Sequence, residues 1–391
     1  MVSDDLNTML EAEVTELEGR NVVFGLGNNR APGIDGITSS FLKFYWEIIK
    51  VDVTRAILHF FTTNSMCESW KNMLVVLVPK NDHANMPSKF RPISLCQSFY
   101  KVVAKVLINR LKPILGIIIS EEQGAFVPGR SISTHGLVAQ EIISKFKFSA
   151  QKSCFMALKL DMEQAYDLFR QRGGQLSIEH VRNADGISHL LYADDILIFA
   201  EATRSNASKI TRLLGDYCGW TGQQVNGSKS AILFNRKCPA WKKRMIAKLM
   251  GYRKVDSLEY LGLPLMMRKP VAANFGNLIR SAQNKTNLWG KKHLSYAGRA
   301  LLIRTALLPI PMYLVTHTAV PHGVLNDIEK IARRFLWQKD NNNRGMHYVA
   351  WKELCQPRSH GGMGFYSSVK WQGALRARLA WDFLQNSGSL L

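Results

Sequence analysis

His189-Leu-Leu-Tyr-Ala-Asp-Asp-Ile-Leu-Ile-Phe199 holds two apolar segments, 189–192 and 196–199, on either side of a turn with two adjacent carboxylates. This pattern predicts a β-hairpin with Ala193, Asp194 and Asp195 at its tip. An Asp-Asp pair alone says little about chemistry, because both residues favour turns for local hydrogen-bonding reasons. A second stretch adds weight. Residues 154–161 alternate apolar and polar positions toward an acidic end, and lead into Leu160-Asp-Met-Glu-Gln-Ala-Tyr-Asp167, which predicts a strand ending in Asp161. A carboxylate closing one strand beside a turn bearing two more can hold two divalent cations for in-line displacement at phosphorus. Asp161, Asp194 and Asp195 are the candidates for that set. Without metal, three clustered acids would repel one another.

Outward from this pair of motifs, the chain mixes helical and strand periodicities. Residues 4–24 read as one acidic amphipathic helix, followed by the turn-rich Arg30-Ala-Pro-Gly-Ile-Asp-Gly36. Apolar positions at helical spacing fill 41–61, and the β-branched run 73–78 ends at Pro79 as a strand would. Helices are predicted over 99–111 and 135–148, separated by the loop-like Gln123-Gly-Ala-Phe-Val-Pro-Gly-Arg130. Beyond the acidic turn, 203–220 is helical, 231–234 strand-like and 258–264 a compact turn or hairpin, and helix dominates from about 275. The sum is an α+β chain.

The 391 residues carry 51 Lys and Arg against 30 Asp and Glu, a formal charge of +21. Such a surplus favours polyanionic partners, since each phosphate neutralised releases counter-ions. Much of it lies in 229–304, where 17 basic residues face only Asp256 and Glu259, a net +15. There the cations interleave with Trp241, Tyr252, Tyr260 and Trp289, which suits a nucleic-acid surface. The six cysteines, at 67, 96, 154, 218, 238 and 355, have no zinc-type spacing and are too sparse for a disulfide framework. Free thiols in a reducing compartment, nucleus or cytosol, are therefore expected. No secretory leader is legible, and the most apolar stretch, 102–119, is interrupted by Lys105, Arg110 and Lys112, so no membrane span is expected.

The ordered set Ala31-Pro-Gly-Ile-Asp-Gly36, Val78-Pro-Lys80, Phe90-Arg-Pro-Ile-Ser-Leu95, Gln123–Arg130, Ser188–Asp195 and Tyr260-Leu-Gly-Leu-Pro264 resembles the reverse transcriptases of LINE-type, non-LTR retrotransposons, most closely the plant branch. Leu294-Ser-Tyr-Ala-Gly-Arg299, Phe335-Leu-Trp337 and Gly361-Gly-Met-Gly-Phe365 look like later landmarks of the same family. The resemblance implies a right-hand polymerase fold with fingers, ferredoxin-like palm and helical thumb. It implies an RNA template, a DNA primer and deoxynucleotide triphosphates as partners, with two Mg²⁺ ions as cofactors. Asp161, Asp194 and Asp195 would be the metal ligands, and Lys229 would protonate the leaving pyrophosphate. Lys80 and Arg91 would contact the triphosphate, Arg130 a phosphate of the nucleic acid, and Tyr166 would screen the sugar 2′ position. Packed aromatic, surface ion-pair residue and ordinary surface cation remain the plainer readings of Tyr166, Arg91 and Lys229.

The sequence departs from the family between its two acidic motifs. Only 33 positions separate Asp161 from Asp194, and the family's Gln-Gly-Asp-Pro motif is missing between them. Gln164 stands where the family usually has Lys. An endonuclease upstream and a nuclease or zinc-binding tail downstream would complete a family member, so a fragment of a decayed element is expected. The expected organisation is an acidic helix at 1–27, fingers at 28–150, a truncated palm at 151–265 and a thumb and post-thumb region at 266–391. Its activity is expected to be weak or nil. The alternative is a non-catalytic RNA- or DNA-binding remnant, and an intron maturase ranks behind both.

Overall fold

The computed structural model describes residues 3–28, 30–80, 84–148, 153–163, 189–289, 294–337 and 346–385. The chain divides into two compact units, one of residues 1–120 with 127–129 and the other of residues 121–126 with 130–391. Helices and mostly antiparallel strands are combined, as expected for an α+β protein.

The first unit contains α1 (Asp4–Glu11), α2 (Glu16–Phe24), α3 (Ser39–Phe44), α4 (Trp46–Thr63), α5 (Glu68–Lys71), the antiparallel pair β1 (Met73–Pro79) and β2 (Phe90–Cys96), and α6 (Ser98–Ile118). Its core joins Val14, Val22 and Val23 to Leu42, Trp46, Val53, Ile57, Val102 and Val106. The single acidic helix expected over 4–24 is two helices. Thr15 caps α2 by accepting from the Glu18 N–H, and Val14 just before it is buried in the core, so the chain turns where a continuous helix would leave Val14 in solvent. Arg110 on α6 holds this turn. Its guanidinium donates to both carboxylate oxygens of Glu18 at 2.8 Å and to the Leu10 and Ala12 carbonyls at 2.9 and 2.7 Å.

The second unit is organised on a six-stranded sheet. Its strands are β3 (Phe155–Glu163), β4 (His189–Tyr192), β5 (Asp195–Glu201), β6 (Gln224–Val225), β7 (Ala231–Phe234) and β8 (Arg253–Val255), in the order β4-β5-β3-β7-β8 with β6 paired to the end of β3. Only β7 and β8 run parallel. Helix α7 (Ile132–Phe148) and the hairpin of β9 (Ser257–Tyr260) and β10 (Leu263–Met266) cover one face, in a core with Ala157, Leu190, Leu197, Phe199 and Leu233. Helices α8 (Arg204–Thr221) and α9 (Ala240–Met250) cover the other, against Met156, Leu158, Leu160, Ala200 and Ile232. With both faces covered, Met156, Ala157 and Leu158 are all buried, so the alternation expected along this strand gives way to a continuous apolar run.

Beyond the sheet come α10 (Gly276–Trp289), α11 (Tyr296–Leu302), α12 (Met312–His317), α13 (His322–Trp337), α14 (Trp351–Leu354) and α15 (Ser368–Gln385). The late sequence landmarks have structural reasons. Ser295 caps α11, Arg299 is buried and donates to the Leu336 carbonyl, and Phe335 and Leu336 lie in the core. Gly362 passes so close to Gln356 that any Cβ would overlap its backbone.

One expectation is corrected. Cys154 and Cys238, 84 residues apart, form a disulfide with Cα atoms 4.6 Å apart. Sequence spacing hid the pair, because the sheet brings them together. Asn235 donates to the Ser153 carbonyl and exchanges bonds with the backbone of Phe155, fixing the end of β7 against the start of β3. Cys67, Cys96, Cys218 and Cys355 are free thiols.

Candidate active site

The predicted hairpin forms. β4 and β5 pair antiparallel with Tyr192 opposite Asp195, leaving Ala193 and Asp194 as a two-residue loop. Ala193 takes φ 55°, a left-handed conformation that costs an L-residue about 1–2 kcal/mol. The central strand β3 then pairs with β5 so that Asp161 lies directly opposite Asp195. Residues opposite one another in an antiparallel ladder share a face, with side chains within reach. Two of the three expected acids therefore sit side by side, and Asp194 stands on the turn beside them.

Each member of the opposed pair carries a lysine. Lys229 Nζ lies 3.1 Å from Asp161 Oδ2, and Lys159 Nζ lies 3.0 Å from Asp195 Oδ1. Backbone contacts bring Lys229 there. The Asn226 N–H donates to the Asp161 carbonyl, and the Asp161 N–H donates to Ser230 Oγ. The Asn226 side chain in turn accepts from the Ser228 and Lys229 N–H groups, closing the turn that presents the lysine. Lys159 was not among the expected site residues. Its signal was its position two residues before Asp161, on the same face of a strand.

An aromatic group backs the acids. Tyr260 is fully buried, with its hydroxyl unpartnered among the described residues, and burial pushes its pKa upward, helped by the negative charge of Asp195. His135 is 1% exposed, with neither ring nitrogen hydrogen-bonded among the described residues. Its ring centroid lies 6.1 Å from that of Tyr192. Burial, then the charge of Arg130, holds the His135 pKa below its ordinary value. Gly124 allows this packing, since a Cβ there would come within 2.4 Å of the imidazole. The loop holding Gly124 docks on β4, with the Gly124 N–H donating to the Leu191 carbonyl and the Leu191 N–H to that of Glu122, both at 2.8 Å. Arg130 donates to the Gln123 carbonyl at 2.6 Å, so this expected phosphate contact lies in the loop beside the acidic hairpin.

Lys80 and Arg91 lie in the first unit. Arg91 pairs with Val78 across β1 and β2, the Lys80 N–H donates to the Lys89 carbonyl, and both side chains are exposed at one end of this hairpin. Tyr166, Gln164 and the rest of residues 164–188, between the acidic motifs, lie outside the described residues.

Among the described residues, no group of three or more His, Cys, Asp and Glu side chains is arranged to hold a metal ion. The expected three-acid set is thus not brought together as one metal-binding group among the described residues: Asp161 and Asp195 oppose one another, and Asp194 lies on the adjoining turn. That pair suits a hard cation such as Mg²⁺, which binds through one or two carboxylates together with substrate phosphates and water. Among the described residues, no helix is long and apolar enough to cross a membrane.

Residues 78–174 match the family model described as reverse transcriptase (RNA-dependent DNA polymerase). This segment includes Lys80, Arg91, Arg130 and Asp161. The chain is 29% identical over 167 residues to an uncharacterized 149 kDa protein of transposon TX1 from Xenopus laevis, covering 43% of this chain and 13% of that protein. It is 27% identical over 128 residues to a putative ribonuclease H protein of Arabidopsis thaliana, covering 33% of this chain and 21% of that protein. The matches thus span a minor part of either relative. This chain therefore contains a segment of reverse transcriptase type and is related in sequence to transposon-type proteins.

Proposed function

We propose that this chain is the RNA-directed DNA polymerase portion of a LINE-type retrotransposon protein of the plant branch, and that its nucleotidyl transfer is weak or absent. In this reading fingers lie near 28–150, a truncated palm near 151–265 and a helical thumb beyond. The observation that carries it is the strand register opposing Asp161 to Asp195, with Asp194 on the adjoining turn. The two acidic motifs meet on one face of the sheet, which supports this reading.

Asp161 and Asp195 would hold a Mg²⁺ ion; the second ion and the participation of Asp194 rest on the family resemblance. When bound, the metal would draw charge from the primer hydroxyl and the triphosphate. The chain's own residues would do the rest. Lys229 is 68% exposed at the end of a turn, so its ammonium can leave Asp161 and offer a proton to the departing pyrophosphate. Lys80 and Arg91 present exposed cations suited to triphosphate oxygens, Arg130 would contact a nucleic-acid phosphate, and Tyr166 would screen the sugar 2′ position. The missing Gln-Gly motif removes groups that would seat nucleotide and template, and positioning is a large part of the catalysis of phosphoryl transfer.

A second reading, a non-catalytic RNA- or DNA-binding remnant, is favoured by the two lysines that already neutralise the acid pair. Both readings predict salt-sensitive binding of an RNA–DNA primer–template, measured by fluorescence anisotropy over a potassium chloride series. The polymerase reading adds that the incoming nucleotide with Mg²⁺ tightens the complex and that Asp161→Ala abolishes this gain. No salt-dependent binding at all would refute both.

A further inference from the structure

The two lysines at the acid pair differ in kind. Lys229 belongs to a turn and is 68% exposed, whereas Lys159 lies on the central strand and is 21% exposed. In register, Lys159 stands between Leu197 of β5 and Ala231 of β7, both buried, and its neighbours Leu158 and Leu160 are fully buried on the opposite face. A lysine stem held among buried residues keeps its head close to the sheet, where a neighbouring carboxylate offsets the hydration it gives up. Asp195, 3.0 Å away and 28% exposed, is the partner it has. The lysine stem is packed by the sheet, and its head is delivered to one carboxylate oxygen.

We infer that Lys159 is a built-in counter-ion that competes with divalent cations for Asp195. The acid pair can then fold and persist without metal, and it takes up a cation only by displacing Lys159. This rests on reading Asp161 and Asp195 as metal ligands. The inference follows from charge balance. Two ammonium groups cancel the opposed carboxylates, so an arriving dication meets a neutral pair and must lie beside an ammonium already bonded to the same carboxylate. Lys229 can swing into water at little cost. Lys159 has no comparably solvated alternative, so it sets the affinity.

Mn²⁺ binding to the full chain, followed by electron paramagnetic resonance of the free ion, tests this without any activity measurement. Lys159→Met preserves the stem and removes the charge, and Lys159→Gln serves as a second variant should methionine disturb folding. The expected result is that Mn²⁺ binds at least ten-fold more tightly to either variant than to the parent, that Lys229→Met gains less, and that adding Asp195→Asn to Lys159→Met abolishes the gain. Melting should agree, with Mn²⁺ raising the midpoint of Lys159→Met and leaving the parent almost unmoved. Equal Mn²⁺ affinity in folded parent and Lys159 variants, or an equal gain in Lys229→Met, would overturn the role given to Lys159 while leaving the metal-ligand reading standing. Absence of any Asp195-dependent binding in every variant would overturn both.

Discussion

Replacing Arg110 with alanine should release the N-terminal helices. The Arg110 side chain is 11% exposed and that of Glu18 is 25% exposed, and the two make a bidentate pair while the same guanidinium bonds the carbonyls of Leu10 and Ala12. Glu18 holds the Arg110 pKa above its ordinary value, so the charge is present at every working pH. Breaking a buried pair by removing one partner costs roughly 3–5 kcal/mol. Glu18 recovers some hydration because a quarter of it faces solvent, which places the expected loss near 3 kcal/mol, including the contact of the guanidinium with the Phe61 ring. Hydrogen–deuterium exchange mass spectrometry over residues 4–24 is the appropriate assay, since it reads local opening in a two-unit chain. If these helices exchange by local opening, 3 kcal/mol corresponds to roughly 100-fold faster exchange. Exchange within three-fold of the parent would refute the assignment of this tether.

Three further outcomes follow from the site. Tyr260→Phe removes a buried hydroxyl that has no partner among the described residues and should raise stability by about 1 kcal/mol in urea denaturation; a loss of that size would mean that the hydroxyl is bonded. His135 keeps a lowered pKa in the folded chain, so below about pH 6.5 the unfolded chain binds a proton that the folded one refuses. Stability should fall as the pH drops through that range, less so in His135→Gln, as measured by denaturation midpoints at pH 7.5 and 5.5. If the basic stretch 229–304 contacts nucleic acid, replacing Lys242, Lys243 and Arg244 of α9 with glutamine should flatten the log–log salt dependence of single-stranded RNA binding by up to about 2, and an unchanged slope would exclude a contact through α9.

The hairpin of Asp194 and Asp195 was legible because apolar segments flank a turn signal over eleven residues, and the Leu258–Pro264 hairpin was legible for the same reason. The meeting of Asp161 with the acidic turn was foreshadowed by the strand end, the turn signal and the family resemblance, but its register, Asp161 opposite Asp195, was not, since register is set by packing on both faces of the sheet. Lys159 escaped notice because its one signal, a place two residues before Asp161 on the same strand face, does not reveal its partner until the register with β5 is known. The Cys154–Cys238 bond was illegible for a similar reason: 84 residues of sequence hide a junction made by neighbouring strand ends. The break between α1 and α2 was missed because the apolar spacing continues through Val14, while the chain leaves the helix at Ala12 and restarts one only at Thr15, which caps α2.

Primer extension on an RNA template with Mg²⁺ and deoxynucleotide triphosphates tests the central claim most directly. The account predicts primer–template binding with little or no extension, and any short products should disappear in Asp194→Ala. Processive extension by the parent chain, lost in Asp194→Ala, would contradict it by showing that the chain supports full nucleotidyl transfer without a Gln-Gly motif between its acidic motifs.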